Sequence, residues 1–237
     1  MNPLDASRRV AAVLFDLDGT LYDQRRMRAA MAAELLALPF SAPFMARRVW
    51  KGLSAYRRSQ EALRAQGVTG STAMAQLEHA ARASGLSREE LAPIVDEWMH
   101  ERPLRHLPAC RAAGAHELLK SLDRAGVPLG LLSDYPVRHK LRALGVAQYF
   151  SLVLSASDPE VNAFKPSPRG FLAASERWDL DPADVLYVGD REDVDAAGAR
   201  AAGMPCVIVS RRARHTGLQQ GVLIVDSLER LHRVLSC

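Results

Sequence analysis

An apolar run over residues 10–15 (Val-Ala-Ala-Val-Leu-Phe) stops at two aspartates one residue apart, Asp16 and Asp18, followed at once by Gly19-Thr20-Leu21. A short apolar run closed by a turn signal predicts a strand buried on both faces of a parallel sheet. Ligands of open α/β sheets gather beyond the carboxyl ends of such strands. Side chains alternate along a strand, so Asp16 and Asp18 fall on the same side of its mouth. Two like charges that close strain each other unless a cation or a cationic side chain offsets them. Taken alone, Asp-x-Asp also fits a solvated turn; the buried-type strand before it and the Gly-Thr after it favour a site.

The 237 residues are enough for one large domain or two modest ones. No apolar run approaches the length of a membrane span, and residues 1–9 carry no apolar leader core, so the expectation is a cytoplasmic protein with no membrane partner. Cys110, Cys206 and Cys237 are odd in number, far apart and without metal-type spacing, which fits a reducing compartment. The net charge of +4 raises the question of nucleic acid. Only Lys51, Lys120, Lys140 and Lys165 are lysines, however, and the arginines are spread through an Ala-rich chain. That pattern reads as compositional bias, and no nucleic-acid partner is expected.

Along the chain, residues 23–105 are rich in Ala, Leu, Arg and Glu, with Met27, Met31, Leu35 and Leu38 at helical spacing. Breaks are expected at Pro39, at Ser41-Ala42-Pro43, at residues 67–71 and at Gly85-Leu86-Ser87. Ser87 with Glu90 three residues on is a capping-box signature. This predicts about four helices and no strand, inserted after the first strand as a separate module. From residue 108 onward helix and strand alternate. Helices are predicted at 112–125, 137–144, 168–178, 194–202 and 228–235, the last capped by Ser227. Strands are predicted at 127–132, 150–154, 185–188, 206–209 and 222–225. The fold class is therefore α/β, a doubly wound parallel sheet with a small helical cap domain. Residues 1–22 and 106–237 form the core and 23–105 the cap.

Three further polar groups stand at strand ends or loops. Ser133 follows Leu131-Leu132; Lys165 sits in Phe-Lys-Pro-Ser-Pro just before a helix; Asp190 ends Tyr-Val-Gly-Asp, with Asp193 and Asp195 close behind. Each also fits a structural part on its own: a cap or turn for Ser133 and Asp190, a solvated loop for Lys165. Three carboxylates crowded at a strand mouth suit a hard cation with oxygen ligands.

Together, in this order and spacing, the four elements resemble the four signatures of the haloacid dehalogenase-like (HAD) hydrolases, phosphatase branch. The resemblance covers residues 10–22 and 108–209, and the helical insert matches the cap that many members carry. It implies a Rossmann-like core and a phosphoryl-transfer mechanism. Asp16 would attack phosphorus and form an aspartyl-phosphate. Asp18 would protonate the leaving oxygen and then activate water, which its carboxylate can do if its pKa is raised. Mg²⁺ would be held by Asp16, the Asp18 backbone carbonyl and Asp190, with Asp195 or Asp193, between which the motif leaves the choice open, anchoring metal-bound waters. Ser133 and the N–H groups of Leu17 and Asp134 would cradle the phosphoryl oxygens, and Lys165 would neutralise Asp16 and the transferring group.

Two positions depart from the family's commonest pattern. Asp134 follows the serine where asparagine is frequent; it is expected to turn away from the phosphate or to bind Arg138 or the backbone. Asn162 stands where glycine is frequent, and asparagine tolerates positive φ. The insert holds Arg25, Arg26, Arg28, Arg47, Arg48, Arg57 and Arg58, which suit either a solvated face or recognition of a small anionic phosphate ester. The implied activity is Mg²⁺-dependent hydrolysis of a small phosphorylated metabolite by a monomer or homodimer. The alternatives are a phosphomutase on the same scaffold and a non-catalytic phosphate-binding module.

Overall fold

The first strand, β1 (Ala12–Phe15), is buried along its whole length in the computed structural model. The structure describes residues 10–66, 71–211, 216–219 and 221–235. Residues 1–9, most of the break expected at 67–71, and Cys237 lie outside them. Strand β1 pairs in parallel with β2 (Leu129–Ser133) on one side and with β4 (Val185–Gly189) on the other. Strand β3 (Leu152–Ser155) follows β2, while β5 (Cys206–Val209), β7 (Val222–Val225) and β6 (Gly217–Gln219) continue beyond β4, in the order β3-β2-β1-β4-β5-β7-β6. All pairings are parallel except β6 with β7. The sequence reading missed β6, an edge strand of three residues with no apolar alternation to reveal it.

Alternation along β1 divides the core into two layers. Val13 and Phe15 join a cluster with Leu131, Val188 and Val207, covered by α6 (Ala115–Arg124), α7 (Arg138–Leu144) and α10 (Leu228–Leu235). Ala12 and Leu14 join Leu132, Tyr187 and Ile208 beneath α8 (Arg169–Trp178) and α9 (Ala197–Ala202). Helices on both faces make the sheet doubly wound. Each fully buried Leu or Phe contributes roughly 1.5–3 kcal/mol through removal of apolar surface from water.

Among the described residues, the α-helices of the insert are α1 (Gln24–Ser41), α2 (Pro43–Gln66), α3 (Thr72–Ser84) and α4 (Arg88–Val95). Asp23 caps α1 by accepting from the N–H of Arg25 at 2.9 Å. The Ser87–Glu90 capping box is complete, with bonds of 3.2 and 2.9 Å. Pro39 does not break α1 as expected but lies inside its last turn. A proline there removes only one bond, and the Ala42 N–H closes the turn on Leu38 at 2.7 Å. After α4 a wide turn (Asp96–Glu101) and the short α5 (Leu107–Cys110) return the chain to the sheet. The insert has its own cluster of Tyr56, Ala80, Leu91 and Val95. Met27, Met31, Leu53 and Trp98 pack into the same cluster as Phe15, so the block sits directly on the sheet. Among the described residues, no helix is long and apolar enough to cross a membrane, and Cys110 and Cys206 are buried free thiols.

Most core boundaries fall within three residues of the sequence reading. The clearest difference is the expected helix at 194–202. Residues Glu192–Ala196 form a wide π-type turn, and only then does α9 begin. The N–H groups of Asp195 and Ala196 both reach the Arg191 carbonyl, at 2.8 and 3.2 Å, which widens the turn.

Candidate active site

From β1 the chain proceeds to β2 and β3 on one side and later to β4 and β5 on the other, so the carboxyl ends of β1, β2 and β4 open a crevice at the switch in strand order. Asp16 continues β1, its N–H bonded to the Val188 carbonyl at 2.8 Å, and its side chain is buried. Ser133 is the last residue of β2, and Asp190 follows β4. Lys165 enters from the loop before α8. Its Nζ donates to Asp16 at 2.6 Å, to Asp195 at 2.7 Å and to the Tyr187 hydroxyl at 3.1 Å. Thr20 donates to Asp16 at 3.2 Å. Four of the expected residues, Asp16, Lys165, Asp190 and Asp195, thus meet at one point.

Asp18 and Ser133 form the neighbouring corner. The Asp18 carboxylate accepts from Lys140 at 2.7 Å, from the Tyr22 hydroxyl, and from Ser133 at 3.5 Å. The Ser133 oxygen in turn accepts the Tyr135 N–H at 3.2 Å.

Two glycines make this crowding possible. Gly19 has φ +110°, and a Cβ there would lie 2.6 Å from the Asp190 carboxylate carbon. A Cβ on Gly189 would lie 2.5 Å from the Asp195 carboxylate carbon. Both glycines lend the carboxylates the room a side chain would take.

The charges are unbalanced. Burial pushes Asp16 well up, against the pull of Lys165, with Asp195, Asp190 and Asp18 adding to the rise. Burial and Asp195 push Asp190 up to about 6. Lys165 rises despite its burial because Asp16 and Asp195 hold its proton. The raised pKa named as a condition for Asp18 is not met in this state: burial would lift it, but Lys140 and the Tyr22 hydroxyl outweigh burial and hold it below the usual carboxylate range. Four carboxylates (Asp16, Asp18, Asp190, Asp195) thus face two ammonium groups (Lys140, Lys165); with every carboxylate ionised the excess is two negative charges, and the upward push on Asp16 and Asp190 is the cost of that excess without a further cation.

That excess, with an all-oxygen donor set, fits a hard divalent cation. Asp16, Asp190 and Asp195 each bring an oxygen within 4.8 Å of the others. Asp195 is already saturated: one oxygen takes Lys165 and Tyr187, the other the N–H groups of Asp190 and Arg191 at 3.1 and 3.0 Å. Its bonds hold the Asp190 loop against the site. Asp193 lies elsewhere, exposed and paired with Arg191 at 2.6 Å. Sequence spacing left these two open because both follow the same strand; the wide turn at 192–196 sends them apart.

Asp134 does not pair with Arg138. It binds Arg64 of α2 and the Lys165 backbone N–H at 3.0 Å, so only the backbone part of that expectation stands. Asn162 adopts φ +38°, the left-handed conformation anticipated for it. Of the insert's arginines, Arg28, Arg57, Arg58 and Arg64 line a cavity of ≈ 850 Å³ together with the strand-end residues. Arg48 instead pairs with Glu90 at 2.5 Å. Sequence reasoning missed Tyr22, Lys140, Arg64 and Tyr187. The rarity of lysine was a usable signal for Lys140; Tyr187 reads as strand core, and nothing local marks Arg64.

These features define the class. The haloacid dehalogenase-like hydrolase family model matches residues 10–203, and the chain belongs to that family as an enzyme of its phosphatase branch. Among its relatives, the phosphoglycolate phosphatases of Escherichia coli (strain K12) and Shigella sonnei are each 33% identical over 230 residues, covering 87% of this chain and 82% of theirs. Phosphoglycolate phosphatase 1 of Pseudomonas aeruginosa is 27% identical over 97% of this chain and 81% of its own. A 2-haloacid dehalogenase from Pseudomonas syringae pv. Tomato superposes with a TM-score of 0.64 at 24% identity, covering 96% of this chain and 98% of the other. A β-phosphoglucomutase from Clostridium difficile gives 0.57 at 18%, covering 94% and 93%. These two likenesses establish the fold.

Proposed function

We propose that the protein hydrolyses a small phosphate monoester in a Mg²⁺-dependent reaction through a phosphoryl group carried on Asp16. The observation that carries this reading is the Asp16 carboxylate, buried at the mouth of β1 yet reached by Lys165 and flanked by Asp190 and Asp195. Mg²⁺, held by Asp16, Asp190 and the Asp18 carbonyl, would offset the phosphoryl charge so that an anionic nucleophile can approach.

One Asp16 oxygen forms a bond to phosphorus as the bond to the ester oxygen breaks, and the departing oxygen takes a proton from Asp18. Lys140 holds Asp18 ionised at rest, and the arriving phosphate dianion favours its protonation. Water then attacks the phosphoryl group, giving its proton to Asp18, and inorganic phosphate leaves as the bond to Asp16 breaks. Ser133 donates to a phosphoryl oxygen, and Lys165 steadies the charge developing between Asp16 and phosphorus. Residues 23–105 act as a cap over the cavity, excluding water during the first step. The named activity of the relatives points to phosphoglycolate or another small phosphorylated acid as substrate, with Arg28, Arg57 and Arg58 available for its carboxylate.

The test is phosphate release from para-nitrophenyl phosphate and a panel including 2-phosphoglycolate, with Mg²⁺ or EDTA, alongside Asp16→Asn. Metal-dependent release that Asp16→Asn abolishes supports the reading. Undiminished release by folded Asp16→Asn refutes it, and phosphate retained on the product indicates a mutase.

A further inference from the structure

Asp134 places one more carboxylate in the cavity where the proposed reaction puts a phosphate dianion. Both its oxygens are occupied. One accepts the Lys165 backbone N–H at 3.0 Å, and the other accepts Arg64 of α2. The pair is well covered, with side chains 10% and 8% exposed. Arg64 is itself braced: its other arm donates to Glu61 at 2.6 Å, and Glu61 accepts from Arg191, beyond β4, at 3.2 Å. The Arg64 Nε is buried and has no hydrogen-bond partner among the described residues. The guanidinium that neutralises Asp134 thus belongs to the insert, whereas Asp134 and Lys165 belong to the sheet's loops.

We propose that Arg64 and Asp134 make the phosphate affinity of the site depend on the position of α2. With α2 seated, the guanidinium cancels the Asp134 charge, and the Asp134 carboxylate holds the Lys165 main chain in register. With α2 withdrawn, Asp134 faces the cavity as an uncompensated carboxylate and repels the dianion. Removing one member of a covered ion pair leaves the other's charge unanswered, and that charge then acts on whatever anion lies beside it. Phosphate is held while the insert is closed and is driven out as it opens. Both residues are positioning residues, acting through Lys165 and through the field at the phosphoryl position. The inference rests on the phosphoryl-transfer reading above.

The experiment measures binding of inorganic phosphate to the full-length, Mg²⁺-loaded protein by calorimetry, with para-nitrophenyl phosphate turnover in parallel. It compares wild type, Arg64→Met, Asp134→Asn and the double variant. Arg64→Met is expected to weaken phosphate binding about tenfold or more, because it bares the Asp134 charge. Adding Asp134→Asn removes that charge while keeping an oxygen for the Lys165 N–H, and is expected to restore affinity to within about threefold of wild type. Asp134→Asn alone is expected to tighten phosphate binding and strengthen product inhibition. A pair that only staples α2 to the sheet predicts no rescue, so a double variant binding as weakly as Arg64→Met overturns the proposal. If Arg64→Met does not fold, unchanged or weaker phosphate binding by Asp134→Asn overturns it alone. Wild-type protein that binds phosphate in this pattern but hydrolyses no ester sinks the hydrolase reading while leaving the coupling intact.

Discussion

The Lys140 Nζ lies 2.7 Å from the Asp18 carboxylate, joining α7 to the loop that follows β1 across 122 residues of sequence. Burial pushes the Asp18 pKa up, and this contact, with the Tyr22 hydroxyl, outweighs burial and holds it below the usual carboxylate range. Replacing Lys140 by Met therefore raises the Asp18 pKa and strips the site of one of its two ammonium groups. The expected outcome is a fall in kcat/KM at pH 7 of about 10–100-fold, the size typical of losing a group that supports a site residue from behind. Lys140→Arg should recover part of that loss. Wild-type kinetics in Lys140→Met would show that Asp18 needs no such partner.

Asp190 predicts how the stability of the metal-free protein depends on pH. Its pKa in the fold, about 6, lies above its ordinary value of 3.8. The ionised form is therefore disfavoured by folding. The penalty is absent below the ordinary pKa, grows as pH rises between the two values, and is complete above about 6. Metal-free Asp190→Asn should melt about 2–4 °C higher than wild type at pH 8, the shift expected of roughly 1 kcal/mol in a chain of this size. The gain should vanish near pH 4, and added Mg²⁺ should raise the melting temperature of wild type more than that of the variant. Equal melting temperatures at pH 8 would count against the charge strain described above.

Glu34 gives the opposite slope. It joins α1 to the returning chain through Arg102 at 2.9 Å, through Arg105, and through His106 at 2.5 Å. Burial opposes its ionisation, but hydrogen bonds from His106, Arg105 and Arg102 pull it down to about 2. A carboxylate depressed in the fold adds stability that is present above its ordinary pKa of 4.5 and is lost as pH falls towards about 2. Glu34→Gln should lower the melting temperature by about 2–4 °C at pH 7, with the difference shrinking towards pH 3. A constant difference across that range would assign the effect to packing.

Gly19 is the sharpest steric test. With φ +110° and the Asp190 carboxylate carbon 2.6 Å from where a Cβ would stand, Gly19→Ala must either displace Asp190 or move the loop. Backbone strain of this kind costs on the order of 1–3 kcal/mol. Activity should fall by more than the stability loss accounts for, and the Mg²⁺ concentration for half-maximal rate should rise. A variant that loses stability but keeps its Mg²⁺ response would separate Gly19 from the proposed metal site.

What the sequence determined by itself lies in local punctuation. Apolar runs stopping at Asp16, Ser133 and Asp190 mark strand ends, and a parallel sheet brings the carboxyl ends of neighbouring strands together whatever the loops between them do. The helical insert was legible from its periodicity and its Ser87–Glu90 box, and Asn162 from its tolerance of positive φ. The tertiary structure alone decided the partners of those groups. Arg64 meets Asp134 across 70 residues and Lys140 meets Asp18 across 122, pairings that leave no periodic trace because they depend on how α2 and α7 pack over the sheet. Tyr187 is indistinguishable in sequence from a strand-core aromatic until its hydroxyl is found between Lys165 and Asp195. Asp193 and Asp195 differ by two positions, yet the wide turn sends one to solvent and the other to the centre of the site. Chemical identity is local to a residue. The field that tunes it is the sum of charges and burial contributed by distant segments, and only the folded chain assembles that sum.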